Sequence, residues 1–263
     1  MKIYDGCIFY NEFDLLELRM NELWDIIDKF IIVESNETFA NNFKPLYLRE
    51  RLAQDDNFRK KYIDKIIHII IKDMPKMANG NRWPQEEHSF NAIDIGFIQA
   101  KAKEDDIILV SAVDEIPKKE TLLKCINKID DGTYCMVQKF YYYYLNCLNV
   151  SQIFHGTAIS KYKYLTTPND FIINRRFFNL IENGGWHFSY LGGIETIIEK
   201  LESFSHSEYD NPYFKDLKRL QTKIENNEDI FERNIQYAIV PINESYPKYI
   251  LNNLNKYSQY IKK

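Results

Sequence analysis

The 263-residue sequence has no apolar run long enough to cross a membrane as a helix, and no signal peptide precedes its first strand pattern. A cytosolic protein with no membrane span is the expectation. Its four cysteines, Cys7, Cys125, Cys135 and Cys147, form no Cys-x-x-Cys pair, and three sit in apolar patterns as reduced core residues do. No glycine-rich phosphate loop links a strand to a helix, which argues against a dinucleotide or Walker-type site. Neither sign of charge dominates: 34 Lys and Arg oppose 38 Asp and Glu, for a net charge of -4. That balance argues against a general nucleic-acid binder. Repeats and clear linkers are missing too, so 1–263 is expected to form a single domain.

What is present suits a globular core: 45% hydrophobic and 27% charged residues, with 19 Tyr and 17 Phe. Lys2 to Tyr10 reads as a strand. Asp14 with Glu17 three residues on gives a capping-box start, and Leu16, Met20, Leu23 and Ile27 recur at helical spacing over 14–27. Phe30 to Val33 is a second strand and ends in Glu34-Ser35, completing a βαβ unit. Residues 48–62 read as a surface helix, Lys65 to Ile71 as a third strand, and Lys72 to Gln85 as a loop. A helix marked by Phe90, Ile93, Phe97 and Ala100 follows. A short helix is expected over 119–129, strands over 133–145 and 155–165, and an irregular stretch over 168–178. Helices are expected again from Glu195 to Phe204 and in the tail, 213–226 and 247–261.

The most informative stretch is Asp105 to Pro117. Ile107 to Val110 reads as a strand buried on both faces, and it runs into Asp114-Glu115 before Pro117 stops it. Ligands of open α/β sheets bind beyond the carboxyl ends of the strands. Hard oxygen donors there suit Mg²⁺ or Mn²⁺, ions that bridge nucleotide phosphates. The second informative stretch is Gly184-Gly185-Trp186-His187-Phe188-Ser189-Tyr190-Leu191-Gly192-Gly193, where paired glycines flank an aromatic strand and suggest close approach to a ligand or another chain.

Several segments resemble glycosyltransferase family 17. They are Tyr4-Asp5 with Asn11-Glu12, Val33-Glu34-Ser35 to Thr38-Phe39, Lys44-Pro45-Leu46-Tyr47, Asp105-Asp106 through Asp114-Glu115-Ile116-Pro117, the stretch 184–193, and Ser203-Phe204-Ser205-His206. They cover roughly the first 210 residues in one order. The resemblance implies an α/β fold of the GT-A type, a mostly parallel sheet flanked by helices. It further implies a UDP-sugar donor carrying N-acetylglucosamine or a related hexose, a divalent metal, a glycan or glycoconjugate acceptor, and inversion. On that pattern 1–117 forms the donor half, 118–210 the acceptor and metal half, and 211–263 C-terminal helices. One position departs: the family's Ser-Asp-x-Asp-Glu is here Ser111-Ala112-Val113-Asp114-Glu115, so Ala112 replaces the first carboxylate of the DxD motif.

Roles are expected residue by residue, from that resemblance and from the residues' own positions. Asp114 is the metal ligand, with His187 as first choice and His206 as second for a late histidine ligand. Asn11, Glu12, Glu34 and Ser35 meet the nucleoside at the ends of the first two strands; Asn91 faces the site from its helix. Ala112 occupies the donor-positioning site, and Lys200 or Arg82 neutralises phosphate charge. Glu195 is the expected base, ahead of Glu208 and Glu115. Trp186 and the tyrosines at 141–144 offer stacking surfaces for sugars. Two other classes share these features: a metal-dependent nucleotidyltransferase or pyrophosphatase, and a catalytically impaired nucleotide-sugar or glycan-binding protein, which Ala112 favours.

Overall fold

The computed structural model describes residues 1–129 and 132–263. Its first half is built as the sequence pattern requires. Apolar runs give β1 (Ile3–Ile8), β2 (Lys29–Ser35), β3 (Ile66–Ile71) and β4 (Ile107–Ala112), all parallel in the order β3-β2-β1-β4. Alternate side chains of these strands serve two cores. Ile3, Cys7, Phe30, Ile32, Ile107 and Leu109 pack under helix Phe13–Leu23 through Leu16, Met20 and Leu23. Tyr4, Ile31, Val33, Ile108 and Val110 face Phe90 of helix Trp83–Asn91 and Ile93 and Phe97 of helix Ile93–Gln99. Gly96 permits that second approach, because a Cβ there would lie 2.1 Å from the Ile31 side chain.

The second half turns the sheet mixed. β5 (Glu115–Pro117), β6 (Thr133–Tyr142), β7 (Cys147–Asn149), β8 (Phe154–Lys161), β9 (Asn179–Ser189) and β10 (Tyr237–Ile239) join the same sheet, in the path β10-β7-β6-β8-β4. β8 lies antiparallel between β4 and β6, and β9 runs parallel to β6. β5 pairs antiparallel with β9 and sets Glu115 opposite His187. That register brings the two informative sequence stretches together.

Three expectations need correction. The stretch 168–178 is not irregular: Thr167 caps helix Pro168–Asn174 by accepting from the amide of Asp170 at 3.0 Å, and a 3₁₀ turn Arg175–Phe177 follows. Trp186, Tyr141, Tyr142 and Tyr143 are core residues at 1–4% exposure, so they offer no stacking face. Gly184 and Gly185 make their close approach within the sheet: a Cβ on Gly184 would lie 2.5 Å from Met136 Cβ, and one on Gly185 would lie 2.1 Å from the carbonyl oxygen of Ile116, so the latter glycine serves the β5–β9 pairing. No helix among the described residues is long and apolar enough to cross a membrane.

Candidate active site

A cleft of about 280 Å³ opens at the carboxyl ends of β1, β2 and β4. Tyr10, Asn11 and Glu12 line it after β1, Ser35 at the end of β2, and Ala112, Asp114 and Glu115 after β4. Helix Ile194–Ser203 closes one side. Its Ile197 and Leu201 are buried in the core, which turns Thr196, Glu199, Lys200 and Ser203 toward the cleft.

The turn between β4 and β5 is shaped from below by a residue the sequence reading passed over. Arg19 is fully buried on helix Phe13–Leu23. Its guanidinium donates to both oxygens of Asp5 at 2.6 and 2.7 Å, to Ser111 Oγ at 2.7 Å, and to the carbonyls of Ala112 and Glu115 at 2.8 Å each. A charged side chain between the apolar Leu16 and Met20 positions was the available signal. With that turn fixed, Asp114 Oδ2 lies 3.2 Å from Lys200 Nζ and 3.3 Å from His187 Nε2. Burial by itself would raise the Asp114 carboxyl, but Lys200 and His187 outweigh it and hold the group well below the usual carboxylate range. The His187 ring stacks on Phe140 at 4.3 Å between centroids, and its buried Nδ1 has no partner among the described residues.

The described residues contain no group of three or more His, Cys, Asp or Glu arranged to hold a metal. A divalent ion that travels with a nucleotide needs fewer protein ligands: one or two, with phosphates and water completing its shell. Asp114 and His187, converging through Oδ2 and Nε2, fit that role, with Lys200 already on the same oxygen as a fixed cation.

The remaining expected residues divide. Glu12 lines the cleft and accepts from the amides of Tyr10 and Asn11 at 3.1 Å each, and Ser35 Oγ accepts from the amide of Glu37 at 3.0 Å. Glu34 does not line it; its carboxylate takes the amides of Leu48 and Arg49 and bonds His68 at 2.9 Å. Arg82 is also elsewhere, paired with Asp210 and donating to the carbonyls of Glu202 and Phe204, which anchors the end of helix Ile194–Ser203. Asn91 accepts from the amide of Asn169. His206 pairs with Glu208 at 2.7 Å, both exposed and outside the cleft lining. Glu195 sits in the exposed first turn of its helix, also outside the lining, whereas Glu199 one turn later accepts from Tyr10 Oη at 2.8 Å and Asn11 Nδ2 at 3.2 Å. Glu115 is held by both Nη atoms of Arg175, at 2.6 and 3.0 Å.

Three further residues were missed as site residues. Glu199 is one. Glu86, on helix Trp83–Asn91, is the second. Lys44 is the third: it is buried, its Nζ stands 5.0 and 5.2 Å over the Tyr10 and Tyr47 rings, and burial lowers its pKa. A lysine in a loop without periodicity gives no sign of such burial.

An α/β chain with a cleft of carboxylates, cations and aromatics gathered at its strand ends has the architecture of a ligand-binding protein or enzyme. More specifically, the chain belongs to glycosyltransferase family 17, whose profile matches residues 1–260. It is similar to the β-1,4-mannosyl-glycoprotein 4-β-N-acetylglucosaminyltransferase of Rattus norvegicus, 24% identical over 94% of this chain and 52% of that protein. The Homo sapiens protein of the same name is 24% identical over 76% of this chain and 42% of its own length. The chain thus spans about half the length of the curated relatives it matches. Among solved structures, HddC from Yersinia pseudotuberculosis aligns with a TM-score of 0.39 at 13% identity over 72% of this chain and 90% of that one, a likeness too slight to inform the fold type.

Proposed function

We propose that the chain transfers a sugar, N-acetylglucosamine or a related hexose, from a UDP-sugar to a glycan or glycoconjugate acceptor with inversion, on a fold of the GT-A type. The observation that carries this reading is Asp114, at the end of β4 in the cleft, with Lys200 and His187 both on its Oδ2. Transfer requires that the charge building on a departing diphosphate be neutralised while an acceptor hydroxyl attacks. Mn²⁺ or Mg²⁺, when bound, supplies Lewis acidity to the diphosphate. Asp114 and His187 would hold it. Lys200 meets the remaining phosphate charge, and its attraction to Asp114 keeps the ammonium protonated against the effect of burial. Asn11 and Ser35, at the ends of β1 and β2, meet the nucleoside. The N-acetylglucosaminyl donor is taken from the relatives' names.

A second reading, donor binding without turnover, has one observation in its favour: Ala112 lines the cleft where a carboxylate would position the donor sugar. Calorimetric titration of UDP-N-acetylglucosamine and other nucleotide-sugars, with Mn²⁺ present, tests the donor. Micromolar binding of a UDP-sugar supports the proposal, and no binding by any of them contradicts it.

A further inference from the structure

We propose that Glu86 is the general base that deprotonates the acceptor hydroxyl. This rests on the sugar-transfer reading of the same cleft. In that step the acceptor oxygen forms a bond to the anomeric carbon, and the bond from that carbon to the diphosphate oxygen breaks with its electron pair. The hydroxyl proton passes to the Glu86 carboxylate.

The choice follows from what each carboxylate in the cleft already holds. A base must keep an available, basic lone pair, and donors or cations on a carboxylate remove both. Asp114 is held by Lys200 and His187, and Glu115 by both Nη atoms of Arg175. Glu12 takes two backbone amides through one oxygen. Glu37 accepts from Asn41 at 3.0 Å and pairs with Lys76 at 3.1 Å. Glu199 accepts from Tyr10 and Asn11.

Glu86 alone among these carboxylates is without such a partner set. It projects into the cleft from helix Trp83–Asn91, meets the Ser205 hydroxyl, and has no ion pair among the described residues. Its surroundings tune it in the needed direction. Burial raises its pKa; the Ser205 hydrogen bond and the more distant His206 and Arg175 offset this only in part, and Glu115 adds to the rise. A carboxylate so placed is a stronger base than one in water.

The test uses the full chain with Mn²⁺ and UDP-N-acetylglucosamine, water serving as acceptor. Wild type, Glu86→Gln and Glu86→Asp are compared for UDP affinity, for UDP release, and for the pH dependence of kcat/KM. Glu86→Gln is expected to bind UDP within twofold of wild type and to lose on the order of a hundredfold in kcat. The acid limb of the wild-type profile, rising as the base ionises, should vanish in Glu86→Gln and return in Glu86→Asp with part of the rate. A Glu86→Gln variant with wild-type turnover, or one that keeps the acid limb, overturns the role. So does an equal loss of UDP affinity, which would make Glu86 a donor residue. A wild type that binds the donor and never releases UDP contradicts the transfer reading itself, and the base falls with it.

Discussion

Arg19 and Asp5 form a bidentate ion pair with both side chains fully buried, at 2.6 and 2.7 Å. The same guanidinium holds the carbonyls of Ala112 and Glu115, so a fold-stabilising pair also sets the position of Asp114. Truncating one partner of such a pair strands the other charge in the core. Arg19→Met is therefore expected to lose about 3–5 kcal/mol in urea unfolding. Replacing Asp5 as well should recover much of that stability without restoring nucleotide affinity, because the carbonyls of the β4–β5 turn stay unheld. Additive losses in the two single variants would mean that the residues do not act as a pair.

Lys200 Nζ stands 3.2 Å from Oδ2 of Asp114, the carboxylate proposed to hold the metal. Lys200→Met removes the larger of the two attractions that hold Asp114 below the ordinary carboxylate range. UDP affinity should fall at least tenfold with Mn²⁺ present, and the Asp114 carboxyl should titrate higher, a shift visible by carboxyl-carbon NMR. Unchanged affinity would exclude Lys200 from phosphate binding.

Glu86 carries a pKa raised by burial, so its contribution to stability has the opposite sign to that of a salt-bridged acid. Below the unfolded value, about 4.3, it is protonated in both states and costs nothing. As pH rises through the higher folded value, the fold must hold the disfavoured charge, and stability is lost. Glu86→Gln should therefore raise the Tm at pH 7.5, with the gain disappearing by about pH 4. A variant less stable than wild type at neutral pH would contradict this.

Ala112 is the departure from the family motif, and it lines the cleft. Restoring the carboxylate, Ala112→Asp, should raise donor turnover strongly while changing nucleotide affinity less. A loosely held sugar spends little time in attack geometry, and misplacement by about 1 Å costs on the order of a hundredfold. Equal turnover by both forms, measured at saturating donor, would show that the first Asp is dispensable in this chain.

The strands and the acidic strand end were legible because buried parallel strands are written as continuous apolar runs, and Ile107 to Val110 stops abruptly at charge. His187 was legible through its aromatic stretch. Its place beside Asp114, however, depends on the β5–β9 register, a long-range pairing that no local pattern encodes. Glu195 was legible because helix starts are visible in sequence, whereas Glu199 was not, because the turn that overlooks a cleft is decided by packing of Ile197 and Leu201. Glu34 sits at a strand end as expected, yet its carboxylate is consumed by the amides of Leu48 and Arg49. The tyrosine run misled for a similar reason. Tyr141, Tyr142 and Tyr143 are buried by the C-terminal segments, Tyr246 and Tyr237 among their neighbours, which have little periodicity of their own.

The most direct measurement is UDP release from UDP-N-acetylglucosamine by wild type and Asp114→Asn, each with Mn²⁺ and with chelator. Wild type with Mn²⁺ should release UDP, and both chelation and Asp114→Asn should reduce the rate at least a hundredfold. Equal rates in all four conditions would remove Asp114 from the centre of the chemistry.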